Sequence, residues 1–402
     1  MKVLVINAGS SSLKYQLIDM DNEQVLAKGN CERIGTEGAF IGFKAPDGTK
    51  VERKTEMLNH TQAFMAVKEA LTDAQYGAVK DLSEVSAIGH RVVQGGSYFD
   101  KSVLVTDEVL AKIEELAPLA PLHNPAHIQG INACTEVFGK EIPQVVVFDT
   151  AFHQTMPRKA YMFAVPYRYY EKYGVRRYGF HGTSHRYVSD EMAQLLGKAK
   201  EDTKIITCHI GNGSSITAID GGKVIDTTMG LTPLGGFMMG TRSGSLDPSV
   251  ITFIAQKENV SAEEMLKILN KESGLLGVSG VSSDERDVYA AEQSGNDRAK
   301  LAHEMLYYQI AKTIGSYYVS LGGCDAIVFT AGIGENQPSL REKVCDYLGC
   351  LGVELDKEFN SKATLGVEGT LSTPDSKIRV ELIATNEELV IARDTKAIVE
   401  AL

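Results

Sequence analysis

The chain opens with Val3-Leu4-Val5-Ile6-Asn7-Ala8-Gly9-Ser10-Ser11-Ser12-Leu13-Lys14-Tyr15-Gln16-Leu17-Ile18-Asp19. Four aliphatic residues come first, small and polar residues follow, and apolar and polar residues then alternate. Alternation with a period of two is typical of a half-buried β-strand, and small residues between two such runs suit a tight turn. The stretch therefore predicts a β-hairpin with a small polar turn.

The same pattern occurs again in the second half of the chain. The apolar run 205–210 leads into Gly211-Asn212-Gly213-Ser214-Ser215, and a second strand-like run follows at 216–219. A two-fold internal duplication is the simplest explanation of two such hairpins in one chain.

The rest of the chain alternates helices and strands, which is typical of α/β proteins. Helices are predicted over 61–71, from the cap Thr106-Asp107 to a point before Pro118, and over 298–321, and strands over 145–148, 326–329 and 378–384. Two capping boxes, Ser339-Leu340-Arg341-Glu342 and Thr385-Asn386-Glu387-Glu388, predict two further helix starts. We expect two duplicated α/β domains around a cleft.

Composition and charge restrict the function classes. The 402 residues suggest two or three domains at about 150 residues each. With 52 acidic and 41 basic residues the net charge is −11, which argues against nucleic-acid or anionic-membrane partners. No apolar run has the length of a membrane span or of a signal-peptide core, and the six cysteines form no CxxC pair. We expect a cytoplasmic protein whose cysteines are small buried apolar residues.

Three glycine-rich turns each follow a predicted strand, at 7–12, 211–215 and 332–336. Small residues let backbone N–H groups approach a phosphate closely, and serine hydroxyls add donors. Such turns also close ordinary hairpins. None matches GxxxxGK[ST] or GxGxxG, so the sequence disfavours a P-loop or a dinucleotide-binding fold.

Two arginines lie among glycines and small residues, Arg91 in Gly89–Gly96 and Arg242 in Thr241–Ser245. Their planar guanidinium groups suit phosphate or carboxylate oxygens, since few carboxylates lie near them in sequence. The alternative for each is a salt bridge to a distant carboxylate.

Phe180-His181-Gly182-Thr183-Ser184-His185 contains two histidines four residues apart. Such a pair can hold a metal on one helix face, although no HExxH is present. A histidine beside glycine can instead donate a hydrogen bond to an oxyanion. Asp149 and His181 also allow a Ser-His-Asp hydrolase, but no GxSxG occurs.

Taken together, these motifs resemble those of the acetate kinase family. The stretches that carry the resemblance are Val5 to Lys14, Gly89-His90-Arg91-Val92-Val93, Phe148-Asp149-Thr150-Ala151-Phe152-His153, Phe180 to His185, His209-Ile210-Gly211-Asn212-Gly213, Met239-Gly240-Thr241-Arg242-Ser243-Gly244, Ala331-Gly332-Ile333-Gly334-Glu335-Asn336 and Thr385 to Glu388. They extend from residue 3 to residue 388, over essentially the whole chain.

The resemblance implies the fold of the sugar kinase, actin and heat-shock chaperone ATPase superfamily. That fold has two duplicated ribonuclease-H-like (actin-like ATPase) domains around a central nucleotide cleft. Residues 1–150, completed by the C-terminal helix 387–402, would form the acyl-substrate side, and residues 151–386 the nucleotide-binding domain. Members of the family are typically homodimers.

The reaction implied is ATP + acetate ⇌ ADP + acetyl phosphate with Mg²⁺, Mn²⁺ being the alternative ion. Phosphoryl transfer needs positioning and charge neutralisation more than covalent help. The resemblance implies that four residues take part in catalysis: Arg91, Asp149, His181 and Arg242. It implies that the acyl substrate is bound by Arg91, Val93, Leu122, Phe180 and Pro233, that Ser10 and Ser12 belong to a phosphate loop, and that Asn7 and Glu387 hold the metal. The residues that it implies for nucleotide binding are Lys14, His209, Ile210, Gly211, Asn212, Gly213, Asp284, Glu285, Arg286, Gly332, Ile333, Gly334, Glu335 and Asn336.

Asp149 has an open role. The family treats it as an acid/base, yet a carboxylate substrate, with a pKa of roughly 4.3, has no proton to lose at neutral pH. Our hypothesis is that Asp149 orients Arg91 or a metal-bound water.

Two other functions remain open. A propionate kinase differs in its acyl pocket, where one methylene is worth only about 1–3 kcal/mol, whereas butyrate kinases are shorter. A binding module in which ATP drives domain closure belongs to another class, and turnover that depends on a short carboxylate would exclude it.

Overall fold

The structure is a computed structural model that describes residues 1–45, 47–121 and 123–402. It has two compact units, one of Met1–Phe152 with Asn386–Leu402 and one of His153–Thr385. The strands are β1 Lys2–Ala8, β2 Ser12–Asp19, β3 Gln24–Glu32, β4 Phe40–Lys44, β5 Lys50–Lys54, β6 Ala87–Val92, β7 Val103–Leu104, β8 Gln144–Phe148, β9 Lys204–Ile210, β10 Ser214–Asp220, β11 Lys223–Thr227, β12 Ala326–Thr330, β13 Gly369–Thr370 and β14 Arg379–Leu382.

The helices, like the strands, are numbered along the chain. They are α1 His60–Leu71, α2 Asp107–Glu115, α3 Asn124–Phe138, α4 Arg158–Tyr161, α5 Arg168–Tyr173, α6 Gly182–Leu196, α7 Pro248–Glu258, α8 Ala262–Lys271, α9 Gly274–Ser279, α10 Glu285–Gln293, α11 Asp297–Leu321, α12 Ala331–Asn336, α13 Pro338–Leu348, α14 Lys357–Lys362 and α15 Glu387–Val399. Within the described ranges no helix combines the length and the apolar character that crossing a membrane requires.

Each unit contains one mixed sheet, and the two sheets share one strand order. The first has the order β5-β4-β3-β2-β1-β6-β8-β7 and the second β11-β10-β9-β12-β14-β13. In both, an antiparallel three-stranded meander (β3-β2-β1 or β11-β10-β9) continues into two parallel strands (β6 and β8, or β12 and β14). This confirms the predicted duplication and the α/β fold class of two ribonuclease-H-like domains.

The central strands are buried on both faces. In β1, Val3 to Ile6 are all 1% exposed or less, because α15 packs on one face of the sheet and α3 on the other. Strands covered by helices on both sides have continuous apolar runs instead of alternation. The short aliphatic run that opens the chain is therefore the middle of a sheet.

Most predicted elements are confirmed, but the third glycine-rich turn is a helix. Residues 332–336 lie in α12, which begins directly after β12. The side chain of Glu335 accepts a hydrogen bond from the backbone N of Ala331 at 2.8 Å, so a residue within the helix satisfies its first donor. The glycines predict a turn here, and the prediction is wrong because the residue that caps the helix lies four positions after its first residue.

Neither predicted capping box forms at the predicted positions. The helix α13 begins at Pro338, whose fixed φ and missing N–H suit the first helical position, so Ser339 lies inside the helix. At α15 the cap is Asn386, which accepts from the backbone N of Leu389 at 3.1 Å, instead of Thr385. The cysteine prediction is also wrong for Cys350, which is exposed.

Arg341 in α13 is fully buried and connects three segments of the second unit. It donates to the backbone oxygens of Gly334 and Glu335 in α12 at 2.7 and 2.9 Å, and to those of Asn360 and Ala363 at 3.0 and 2.7 Å. Its Nε donates to Asn360 Oδ1 at 2.8 Å. Burial lowers the pKa of Arg341 to about 10, and hydrogen bonds to neutral oxygens hold the group in place.

We expect Arg341→Met to lower the free energy of unfolding by about 3 kcal/mol or more, since it leaves several buried carbonyl oxygens without donors. Arg341→Lys should fall between Met and the natural residue, because one ammonium cannot reach all five oxygens. Urea unfolding followed by circular dichroism measures this. Lys343→Met, an exposed position on the same helix, is the control, and an equal midpoint for both variants would contradict the prediction.

Candidate active site

A partly buried ion pair lies at the carboxyl edge of the first sheet. Arg91 on β6 and Asp149 after β8 are neighbours because these two strands run parallel and end together. Arg91 donates from Nε to Oδ1 at 2.9 Å and from Nη2 to Oδ2 at 2.7 Å. Asp149 is 1% exposed. Burial lowers the pKa of the Arg91 guanidinium, but the Asp149 carboxylate outweighs it, so the pKa of Arg91 is raised.

A cavity of about 540 Å³ in the first unit collects several of the predicted site residues. Asn7 on β1, Lys14 on β2 and Arg91 line it together with Glu387 and Glu388 from the first turn of α15. Asn7 and Lys14 are direct cross-strand neighbours. The chain thus places amide, carboxylate, ammonium and guanidinium groups around one space.

Three lysines and Glu52 line the end of this cavity that β3, β4 and β5 form. Lys28, Lys44 and Lys50 line it, and they are direct cross-strand neighbours on β3, β4 and β5. Among the described residues none of the three forms an ion pair. We call these three residues the lysine row.

The turn between β1 and β2 is compact. The backbone N of Gly9 donates to the backbone O of Ser12 at 2.7 Å. Ser12 begins β2, and Ser10 is exposed in the turn. Both predicted phosphate-loop hydroxyls therefore lie at one end of the first hairpin.

Two histidines that the sequence did not single out hold this turn. The ring of His127 donates from Nδ1 to the backbone O of Ala8 at 2.9 Å, and that of His60 donates from Nε2 to the backbone O of Gly9 at 2.7 Å. Burial first, and the Arg91 charge second, lower the pKa of His127 to about 3, so it stays neutral. They are far from the turn in sequence, and no local pattern indicates them.

A histidine cluster forms the centre of the site in the second unit. His181 precedes α6 with a φ of 58°, a left-handed conformation uncommon outside glycine. Its Nδ1 lies 2.8 Å from Ser215 Oγ, and the same hydroxyl lies 2.7 Å from His185 Nε2. His185 Nδ1 lies 2.7 Å from Thr207 Oγ1. The predicted histidine pair thus shares a serine hydroxyl.

His209 packs against this cluster. Its ring stacks on that of His181 with the centroids 4.0 Å apart. Its Nδ1 lies 2.7 Å from Ser184 Oγ, which accepts from Thr385 Oγ1 at 2.8 Å. Hydrogen bonds therefore orient the ring of this predicted nucleotide-binding residue.

Arg242 lies beside the cluster without a carboxylate partner among the described residues. Its Nη1 donates to the backbone O of Pro233 at 3.3 Å and contacts Met239 Sδ at 3.8 Å. A Cβ at Gly213 would lie 3.3 Å from this Nη1 and 3.8 Å from the His181 ring. Burial lowers the pKa of Arg242. The distant-carboxylate alternative is thus realised for Arg91 and not for Arg242.

The turn 211–213 is packed tightly. The backbone N of Gly211 donates to Ser214 Oγ at 3.1 Å. A Cβ at Gly240 would lie 1.9 Å from Asn212 Oδ1 and 2.9 Å from the backbone O of Ser283. Gly240 therefore keeps Asn212 in position, a supporting role that the sequence motif alone did not assign.

Side-chain hydrogen bonds, within the segments and from Gln337, fix the conformation of the two remaining predicted nucleotide segments, 284–286 and 332–336. Asp284 accepts from Arg286 Nε and Nη2 at 2.9 and 2.6 Å, and the hydrogen bonds from Arg286 lower the pKa of Asp284 to about 2. Glu285 is buried and accepts from Gln337 at 2.5 Å. Asn336 donates to the backbone O of Gly332 at 3.0 Å. Beside Gly332 a Cβ would meet open space.

The residues predicted for the acyl pocket are apolar and divided between the units. Val93 in the first unit is buried, as is Phe180 in the second, and Pro233 is half-buried. Leu122 lies outside the described residues.

The described residues contain no group of three or more His, Cys, Asp or Glu that could hold a metal ion. Asn7 and Glu387 are a different donor set, since one is an amide.

Comparison with known proteins identifies the family. The model of the acetokinase family matches residues 2–393. The acetate kinases of Thermotoga maritima and Methanosarcina acetivorans are 56% and 55% identical, over 100% of this chain and 100% and 97% of theirs. Among solved structures, Porphyromonas gingivalis acetate kinase has 49% identity and a TM-score of 0.95, with 99% of both chains covered. A propionate kinase from Francisella tularensis has 44% identity and a TM-score of 0.92, covering 98% of this chain and 99% of that one. A match over nearly every residue, with this strand order and these motifs, means that the chain belongs to the acetokinase family.

Proposed function

We propose that this protein is an acetate kinase, which transfers the γ-phosphoryl group of ATP to acetate and forms acetyl phosphate and ADP. The observation that carries the proposal is Arg242, a desolvated cation without a carboxylate partner among the described residues, beside His181 and a glycine turn. A cation so placed suits a transient anion such as a phosphoryl group. The choice of acetate as the acceptor rests on the relatives that are acetate kinases.

The transfer is direct and in-line. A carboxylate oxygen of acetate forms a bond to the γ-phosphorus while the bond to the ADP oxygen breaks. Arg91 binds the acetate carboxylate, Arg242 neutralises the transferring group, and His181 donates to its equatorial oxygens. The transfer requires no covalent intermediate with the protein.

Asp149 acts by holding Arg91. Acetate is already ionised at neutral pH, so no proton has to be removed from it. Two parallel hydrogen bonds fix the guanidinium plane, and the carboxylate supplies the counter-charge that a buried cation needs. The acid/base role is the alternative, and kinetics of an Asp149 variant distinguish the two.

Mg²⁺ is the metal that we assign to the first unit, with Mn²⁺ as the alternative. Asn7 and Glu387 offer an amide and a carboxylate oxygen to one cavity, the kind of donor that Mg²⁺ prefers, directly or through water. When bound, the ion would neutralise phosphate charge. Glu387 at the start of α15 also lies where the helix dipole favours a negative group.

The nucleotide contacts follow the predicted segments. Lys14, Ser10 and Ser12 come from the first hairpin. Backbone groups of 209–213 and 332–336 approach the phosphates and ribose, and 284–286 lies by the adenosine, with Glu285 supporting the segment from within. The proposal places the enzyme in the cytoplasm, with a carboxylate and a nucleotide as small-molecule partners and neither nucleic acid nor membrane.

The first experiment is an acyl hydroxamate assay with purified protein, Mg²⁺, ATP, hydroxylamine and one carboxylate at a time. We expect a strong signal with acetate, a weaker one with propionate and almost none with butyrate, because each methylene costs about 1–3 kcal/mol in a small apolar pocket. A stronger signal with propionate would identify a propionate kinase. ATP consumption without hydroxamate would leave only the ATP-gated binding module.

Asp149→Asn should lower kcat/KM for acetate at least about 100-fold and raise the KM for acetate. Arg91 loses its counter-charge and one of the two charge-assisted hydrogen bonds that fix the plane of its guanidinium group. Steady-state kinetics on the folded variant measures both constants. Glu381→Gln is the matched control, since Glu381 is also buried and accepts from Arg379 at 2.7 Å. Full activity in Asp149→Asn would contradict both roles, and a loss confined to kcat would favour the acid/base role.

A homodimer is the oligomeric state that we propose, and α7 is a candidate for its surface. No residue of α7 is buried, and two of its apolar side chains, Val250 and Phe253, are 41% and 60% exposed. Leu266 in α8 is 54% exposed. An apolar helix left at the surface suits a protein interface.

Phe253→Lys should shift the protein from dimer to monomer in light scattering after gel filtration. Replacing an aromatic residue at the centre of an interface often lowers the binding free energy by about 2 kcal/mol or more. Leu365→Lys, at a position 91% exposed in another segment, is the control. A monomeric natural protein would contradict the dimer, and an undisturbed Phe253→Lys dimer would exclude this face.

A further inference from the structure

The hydroxyl of Ser215 lies between two imidazoles, and it has one hydrogen. Its Oγ is 2.8 Å from His181 Nδ1 and 2.7 Å from His185 Nε2. A hydroxyl can donate to only one partner at a time. At least one of the two rings must therefore donate to Ser215, and the state of one ring constrains the other.

His185 extends this coupling into the protein. Its Nδ1 lies 2.7 Å from Thr207 Oγ1, and His185, Ser215 and Thr207 are fully buried. Burial first, and the neighbouring His153 and His209 second, lower the pKa of His185 well below its ordinary value. A neutral imidazole has one donor and one acceptor nitrogen. Only two arrangements then give the Ser215 hydroxyl hydrogen an acceptor, since an arrangement in which both rings donate to Ser215 leaves that buried hydrogen without one.

In the forward arrangement Thr207 donates to His185 Nδ1, His185 Nε2 donates to Ser215, and Ser215 donates to His181 Nδ1. In the reverse arrangement His185 Nδ1 donates to Thr207 and Ser215 donates to His185, so His181 Nδ1 carries a proton. The reverse leaves the Thr207 hydroxyl hydrogen without an acceptor, because within the described ranges His185 is the partner of that hydroxyl. A buried donor without an acceptor costs about 1–3 kcal/mol.

We propose that Thr207, His185 and Ser215 are positioning residues that hold His181 in the tautomer with its proton on Nε2. The inference rests on the proposed function, in which His181 donates to the transferring phosphoryl group. The forward chain leaves Nδ1 of His181 as an acceptor and gives Nε2 the hydrogen that this donation needs.

The surroundings of His181 agree with this direction. A Cβ at Gly213 would lie 3.3 Å from the Arg242 guanidinium and 3.8 Å from the His181 ring, so these two groups are near each other. His209 stacks on His181, and His153 packs edge-on against His185. A second proton on His181 would place two cations together and would reverse all three hydrogen bonds. The chain therefore favours a neutral His181 with a defined donor.

Nitrogen NMR of the full-length protein with [15N]histidine tests the tautomer directly. The His181 ring signals are assigned as those absent from His181→Asn. We expect the Nε2–H tautomer in the natural protein and a mixture of tautomers in Ser215→Ala. A Nδ1–H tautomer in the natural protein, or a pure Nε2–H tautomer in Ser215→Ala, would overturn the inference.

Kinetics provide the second readout. Ser215→Ala should lower kcat about 10- to 100-fold with the KM for acetate unchanged, the usual effect of losing a hydrogen bond that orients a functional group. Thr217→Val is the matched control, since Thr217 is a fully buried hydroxyl two residues along β10 that bonds Thr227. Equal kcat values in the two variants would overturn the positioning role.

His185→Gln distinguishes position from packing. Its amide nitrogen can replace the Nε2 donor toward Ser215, whereas His185→Leu cannot donate. We expect Gln to retain most of the kcat and the His181 tautomer, and Leu to lose both while circular dichroism shows a folded chain. Equal loss in both would show that His185 only fills space. A natural protein that forms no acyl hydroxamate at all would refute the proposed function instead, since the tautomer is measured without substrate.

Discussion

Parallel strands that end at one edge of a sheet place the side chains after them next to each other, and the functional groups of each unit depend on this constraint. In the first unit β6 and β8 bring Arg91 to Asp149. In the second, β9 and β12 run parallel, so that the predicted nucleotide segments 209–213 and 332–336 start at one edge of the sheet. The duplicated strand order therefore gives each unit its own group of polar side chains, with different chemistry, from one backbone plan.

The two arginines show how the same constraint is used differently. Arg91 has a built-in counter-charge, and its orientation is fixed before any substrate arrives. Arg242 has carbonyl and thioether partners only, and it bears the cost of burial without an anion. A paired arginine suits a substrate that is charged throughout, whereas an unpaired one binds best when negative charge develops, which is what catalysis requires.

Much of the fold could be predicted from local patterns. Both hairpins, the helices α1, α2 and α11 and the strand β8 follow from periodicity and caps that lie within a few residues. The α12 helix and the start of α13 were missed because Glu335 and Pro338 override what the glycines and Ser339 indicate. The site residues came from motifs, but His60, His127 and Thr207 did not, since each acts on a segment far away in sequence and only the folded chain brings them together.

The lysine row bears on whether another chain can pair with the edge of the first sheet. Like charges directly opposite on neighbouring strands are mildly destabilising, so the sheet gives up some stability to carry them. Yet β5 is the edge of that sheet, and an edge strand offers unpaired backbone groups to any other chain. Lys50, Glu52 and Lys54 share one face of β5, so a second copy that paired β5 with β5 in antiparallel register about Glu52 would bring its Lys54 against Lys50. The row thus works against strand addition at this edge in that register.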